Sequence, residues 1–157
     1  MYRLHPQGLK GEDLPPWELP WLLRKRKHPS GEGGLGPEHG VSFFGPCTPE
    51  KVRLELDRRT NTISSIRANG YRPDRHGHIE GYFLKRADEY RFFILGGKHR
   101  AASLYHLGYS EIPVRMRVNC PRVIDLAEAE QWPLVRSGEV SLELAKAIFH
   151  QYFDLEG

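Results

Sequence analysis

Apolar and polar positions follow recognisable periods from residue 48 onward. Thr48-Pro49-Glu50 reads as a helix start: a hydroxyl N-cap, proline in the first turn and an acid at the positive end. A helix is predicted to run from there to Asn69, with Gly70 as its C-terminal stop. Val52, Leu56, Ile63 and Ile66 share one face at a period of 3.6, with Arg59 intruding on it. Residues 79–84 (IEGYFL) and 90–95 (YRFFIL) are rich in β-formers, and the polar Lys85–Glu89 between them suits a hairpin loop. Gly96-Gly97 ends the second strand. A short helix over Lys98–Leu107 follows, with Ala101, Leu104 and Tyr105 facing a core and Gly108 closing it. Ile112, Val114, Met116 and Val118 alternate with polar residues or proline, the pattern of a half-buried strand, and Pro113 favours its start or an edge. Residues 119–140 read as loop and short helix. Ser141 caps a last helix, to Phe153, whose apolar face is Leu144, Ala145, Ile148, Phe149 and Tyr152.

The first 47 residues differ. They hold seven of the twelve prolines, and the apolar run Leu14–Leu23 is too broken by them for a long helix. Trp17 and Trp21 in that run suggest an arm pinned either onto its own domain or onto a protein partner. The basic run Arg24–Lys27 and a glycine-rich stretch, 30–40, come next. The expected organisation is an arm (1–47), an α/β core (48–118) and a helical extension packed on it (119–157).

Composition adds exclusions. A hydrophobic fraction of 39% with 11% aromatics is enough for a core and excludes wholesale disorder. No apolar run is long enough to span a bilayer, and MYRLHPQGLKGED lacks a signal-peptide core. Two cysteines cannot form a disulfide scaffold, so a cytoplasmic protein with reduced thiols and no membrane partner is expected. Residues 48–118 carry 14 Lys/Arg against 8 Asp/Glu, whereas 119–157 carry 3 against 7. The basic middle suits an anion, but it is too mild for a dedicated DNA-binding face.

The candidate chemistry lies at Phe93-Ile94-Leu95-Gly96-Gly97-Lys98-His99-Arg100. A strand, a glycine pair and a helix start meet there. First-turn N–H groups lack intrahelical partners and carry partial positive charge, and glycine lets an anion approach the backbone. Cationic side chains are disfavoured at that end of a helix, so Lys98, His99 and Arg100 make sense if a phosphate sits among them. His76-Gly77-His78 offers two imidazoles but no third ligand at metal spacing, so no metal site is assigned.

The stretch ILGGKHRAASLYHLGYSEIPVRM resembles the signature of the ParB/sulfiredoxin superfamily, with Gly96–Arg100 as its glycine–histidine–arginine box and Leu107-Gly108…Ile112-Pro113-Val114 as its trailing element. The resemblance covers about residues 48–118. It implies a small mixed sheet with packed helices, to which the Pro-rich arm and the C-terminal helix are additions. Sulfiredoxins carry a nucleophilic cysteine where this chain has Lys98, so thiol chemistry is not implied. His99 and Arg100 match the phosphate-contacting pair. Arg58, Asn61 and Ser65 fall at the positions of a nucleotide-facing helix array, opposite Val52, Leu56, Ile63 and Ile66.

The resulting expectation is a nucleotide-dependent phosphotransferase, a kinase acting on a small molecule. ATP or another nucleotide, with Mg²⁺, is held by Gly96, Gly97, Lys98, His99, Arg100, Arg58, Asn61 and Ser65, and Glu55 is the candidate base. One alternative is a non-catalytic nucleotide- or phosphate-binding module with a protein partner on the Trp17/Trp21 arm. Another is ParB-like nucleic-acid binding or a nuclease, disfavoured by the acidic C-terminal segment.

Overall fold

The computed structural model describes residues 19–22, 33–40 and 46–154. Trp17 and the basic run Arg24–Lys27 lie outside the described residues. The architecture is mixed α/β, with a four-stranded sheet and packed helices.

The chain divides into two compact units that interleave along the sequence. The first draws its described residues from 19–22, 83–93 and 120–154, the second from 33–40, 46–82 and 94–119. These are not the three consecutive segments expected. The hairpin strands β1 (Ile79–Arg86) and β2 (Glu89–Gly96) each contribute to both units. A two-residue turn joins them, with Ala87 at φ 51°. It is tighter than the five-residue loop expected, because Lys85 and Arg86 continue the first strand.

The other edge of β1 is shared. Strand β3 (Val114–Met116) pairs parallel with Ile79–Gly81, and strand β4 (Val123–Asp125) pairs parallel with Phe83–Lys85. Arg117 N–H donates to Gly81 O and Phe83 N–H to Arg122 O as the chain leaves one half of that edge and joins the other. Two expectations fail here. The strand over 112–118 shrinks to three residues, with Val114 and Val118 exposed, because β1 offers β3 only half an edge. β4 lies inside a segment read as loop and helix.

In the second unit, helix α1 (Pro49–Asn69) is capped as expected: Thr48 Oγ accepts from Lys51 N–H, and Gly70 N–H donates to Ile66 O. The Glu50 carboxyl is held below its ordinary value by its own backbone N–H at the helix start, then by the Thr48 hydroxyl. The short α2 (Pro73–His76) follows, and α1 packs against α3 (Lys98–His106). The inward face of α1 follows the predicted apolar stripe only in part. Ile66 is buried and Ile63 half-buried, but Val52 and Leu56 are exposed, and the other inward positions are Lys51, Leu54, Glu55, Arg58 and Thr62. Arg59 therefore lies with Val52 and Leu56 on a face turned to water. Tyr105, expected inside, is also exposed, while Leu104 is buried.

The first unit is built on aromatic rings. After β4, a 3-10 helix (Leu126–Gln131), α4 (Pro133–Arg136) and α5 (Leu142–Asp154) surround Trp132. Ser141 caps α5, its Oγ accepting from Leu144 N–H at 3.2 Å. Leu144, Ala145, Ile148, Phe149 and Phe153 are buried. Trp21 meets Trp132 and Phe149 edge-on, each at 5.2 Å, and is only 2% exposed. Trp21 thus belongs to its own unit's core. Lys85 Nζ donates to Asp125 Oδ2 at 2.7 Å; this contact lowers the Asp125 carboxyl and raises the Lys85 ammonium from their ordinary values.

Candidate functional site

The predicted site lies wholly in the second unit, where α1 meets the start of α3. Its centre is Glu55, a half-buried carboxylate on the inward face of α1. Glu55 Oε1 lies 2.5 Å from Lys51 Nζ, one turn back, and 3.5 Å from Arg58 Nη1, one turn on. Glu55 Oε2 is buried and lies 2.9 Å from His99 Nε2 on α3, close enough for an ion pair but without hydrogen-bond alignment. Lys51 is 1% exposed, its stem covered and its ammonium against the carboxylate. One acid thus gathers two permanent cations and an imidazole beside the glycine turn.

That turn has the geometry an anion site needs. Gly97 is the N-cap of α3 in the left-handed conformation (φ 82°, ψ 26°), with no side-chain cap and no acid in the first turn. A Cβ there would lie 3.2 Å from the Ile79 backbone and 3.0 Å from Arg100 Nη2, so the position requires glycine for space as well as for φ. Gly96 adjoins Glu80 of β1, whose carboxylate pairs with Arg117. Lys98 is exposed.

Arg100, beside the same turn, also contacts the backbone. Its Nη1 donates to the carbonyl oxygens of His76 and Gly77, so the guanidinium clasps the end of α2. Gly77 and Gly97, both without a side chain, flank it. Nη1 of Arg100 is thus engaged by the backbone of the loop before β1.

The helix array divides. Arg58 belongs to the Glu55 group, whereas Asn61 and Ser65 are exposed. At 1.5 Å rise per residue, Ser65 lies about 15 Å along α1 from Glu55, and Asn61 about 9 Å. The structure therefore brings together Glu55, Arg58, His99 and the Gly96-Gly97-Lys98 turn, and leaves Asn61 and Ser65 on the outer flank. Lys51 escaped the sequence reading. Its spacing to Glu55, i to i+4, was the available signal, but a lysine at that position ordinarily reads as a solvated surface pair.

No protein-family model, curated protein or solved structure matches this chain.

Proposed function

We propose that the chain is a ParB/sulfiredoxin-like nucleotide-binding protein. It takes nucleotide phosphates at the start of α3 and passes the terminal phosphoryl group to a small-molecule acceptor. One observation carries the reading: Lys51, Arg58 and His99 gather around Glu55 beside a glycine-initiated helix that bears Lys98. In this reading the Gly96-Gly97 backbone and the first-turn N–H groups receive the phosphate oxygens. Arg58, Lys98 and His99 balance their charge, and Glu55 holds Arg58 and His99 in position. Phosphoryl transfer demands mostly such positioning and charge stabilisation. Mg²⁺ arrives with the phosphates, which supply many of its ligands. Among the described residues, no group of three His, Cys, Asp or Glu forms a separate metal site.

A second reading, phosphate sensing without transfer, is favoured by the state of Glu55. Both of its oxygens face cationic or ionisable groups, which suits a positioning carboxylate better than a base that must accept the acceptor's proton. A nucleotide panel scored by thermal shift, followed by mass spectrometry of small-molecule products, separates the two. Binding with a phosphorylated product supports transfer, and binding without turnover supports sensing. No shift with any nucleotide or with inorganic phosphate overturns both. Sequence-dependent, sub-micromolar oligonucleotide binding at about 150 mM salt favours the nucleic-acid alternative instead.

A further inference from the structure

The glycine-rich stretch before α1 has so far been given no role. Its described part begins with a turn at Gly33 and Gly34, both at positive φ (63° and 83°). The two glycines differ in what they face. A Cβ on Gly33 would lie 3.0 Å from Arg58 Nη2 and 2.7 Å from Leu54 Cδ2, whereas one on Gly34 would meet nothing within 4 Å. The space a Gly33 side chain would take is thus occupied by the guanidinium whose other terminal nitrogen lies 3.5 Å from Glu55 Oε1. Arg58 therefore lies between a carboxylate on its own helix and the space that Gly33 leaves open by carrying no side chain.

We infer that Gly33 is a positioning residue for the phosphate site, setting the reach of Arg58 by leaving open the space its guanidinium occupies. The inference rests on the nucleotide-binding reading given above. Gly33→Ala inserts a methyl group where the ends of two flexible side chains lie, so Arg58 and Leu54 turn aside while the fold persists. Gly34→Ala imposes similar backbone strain and touches neither, which makes it the control.

The experiment is isothermal titration of the full chain with ATP, and with adenosine as a probe lacking phosphate. Gly33→Ala is expected to weaken ATP binding about tenfold, the scale of one charged contact to phosphate. It leaves any adenosine affinity unchanged, and Gly34→Ala stays within about twofold of wild type. In an Arg58→Ala background, Gly33→Ala adds no further loss, which a merely structural role does not reproduce. If Gly33→Ala folds poorly, the comparison is repeated in a Leu54→Ala background, where the closer clash is gone. Wild-type ATP affinity in Gly33→Ala, equal losses in the two glycine variants, or full additivity with Arg58→Ala overturns the inference alone. A wild-type protein that binds neither ATP, CTP nor inorganic phosphate overturns the site reading and the inference with it.

Discussion

Replacing Glu55 with glutamine keeps the shape of the side chain and removes its charge. The Lys51 ammonium, on a residue only 1% exposed, then loses the carboxylate 2.5 Å away, and His99 and Arg58 lose their common counter-charge. Breaking a fully buried ion pair from one side costs roughly 3–5 kcal/mol. Glu55 retains 19% side-chain exposure and Arg58 33%, so water relieves part of that cost. The expected loss is about 2–3 kcal/mol. For a chain of this length that lowers the melting temperature by roughly 5–10 °C. Urea unfolding followed by far-UV circular dichroism measures it directly. Lys51→Met in the Glu55→Gln background should recover part of that loss, because a buried ammonium no longer has to be held beside a neutral amide. A Glu55→Gln variant within about 0.5 kcal/mol of wild type, or a Lys51→Met cost that adds in full, would refute the claim that this carboxylate organises the contact between α1 and α3.

Three further outcomes are expected. Ser141→Ala removes the hydroxyl that caps α5 and costs about 1 kcal/mol in thermal or urea unfolding. Ala87→Gly relieves a positive φ in the hairpin turn and raises stability by about 0.5–1 kcal/mol, read by the same melt. Asp125 has a lowered folded-state pKa, so its contribution is present above the ordinary carboxylate range and lost as pH falls through and below it. Lys85, raised above its ordinary value, loses its contribution as pH rises through the alkaline range. Asp125→Asn should therefore flatten both the acid and alkaline limbs of a melting-temperature profile, and limbs as steep as wild type count against the pairing.

Local signals carried much of the fold. Thr48, Gly70 and Ser141 act through backbone geometry within four residues, and each ends or starts its helix where expected. The hairpin was equally local. What periodicity missed depends on partners distant in sequence. Val52 and Leu56 look like a core stripe, but the inward positions there are Lys51, Leu54, Glu55 and Arg58, and α3 meets that face with His99 at Glu55. Val114 and Val118 alternate as a buried strand does, yet half of an edge is all that β1 leaves for β3. At the candidate site, the glycine turn and His99 were legible because a strand, a glycine pair and a helix start are contiguous in sequence. The clasp of Arg100 on the His76 and Gly77 carbonyls was not, since a side chain's choice between carbonyl and phosphate depends on which lies nearer.

The shared edge of β1 has a consequence for the chain as it is made. The hairpin is complete by Gly96, but Asp125 follows Lys85 by 40 residues. At the usual pace of translation, roughly 2–8 s separate their synthesis. During that interval Phe83–Lys85 is a strand edge with open N–H and C=O groups, flanked by Tyr90 and by Phe92 with its ring centroid 5.2 Å from that of Phe83. An open aromatic edge is a template for a neighbouring nascent chain on the same polysome. Val123–Asp125 covers that edge once it is made, so chains cut short before it are expected to aggregate more readily, as read by their soluble fraction on expression.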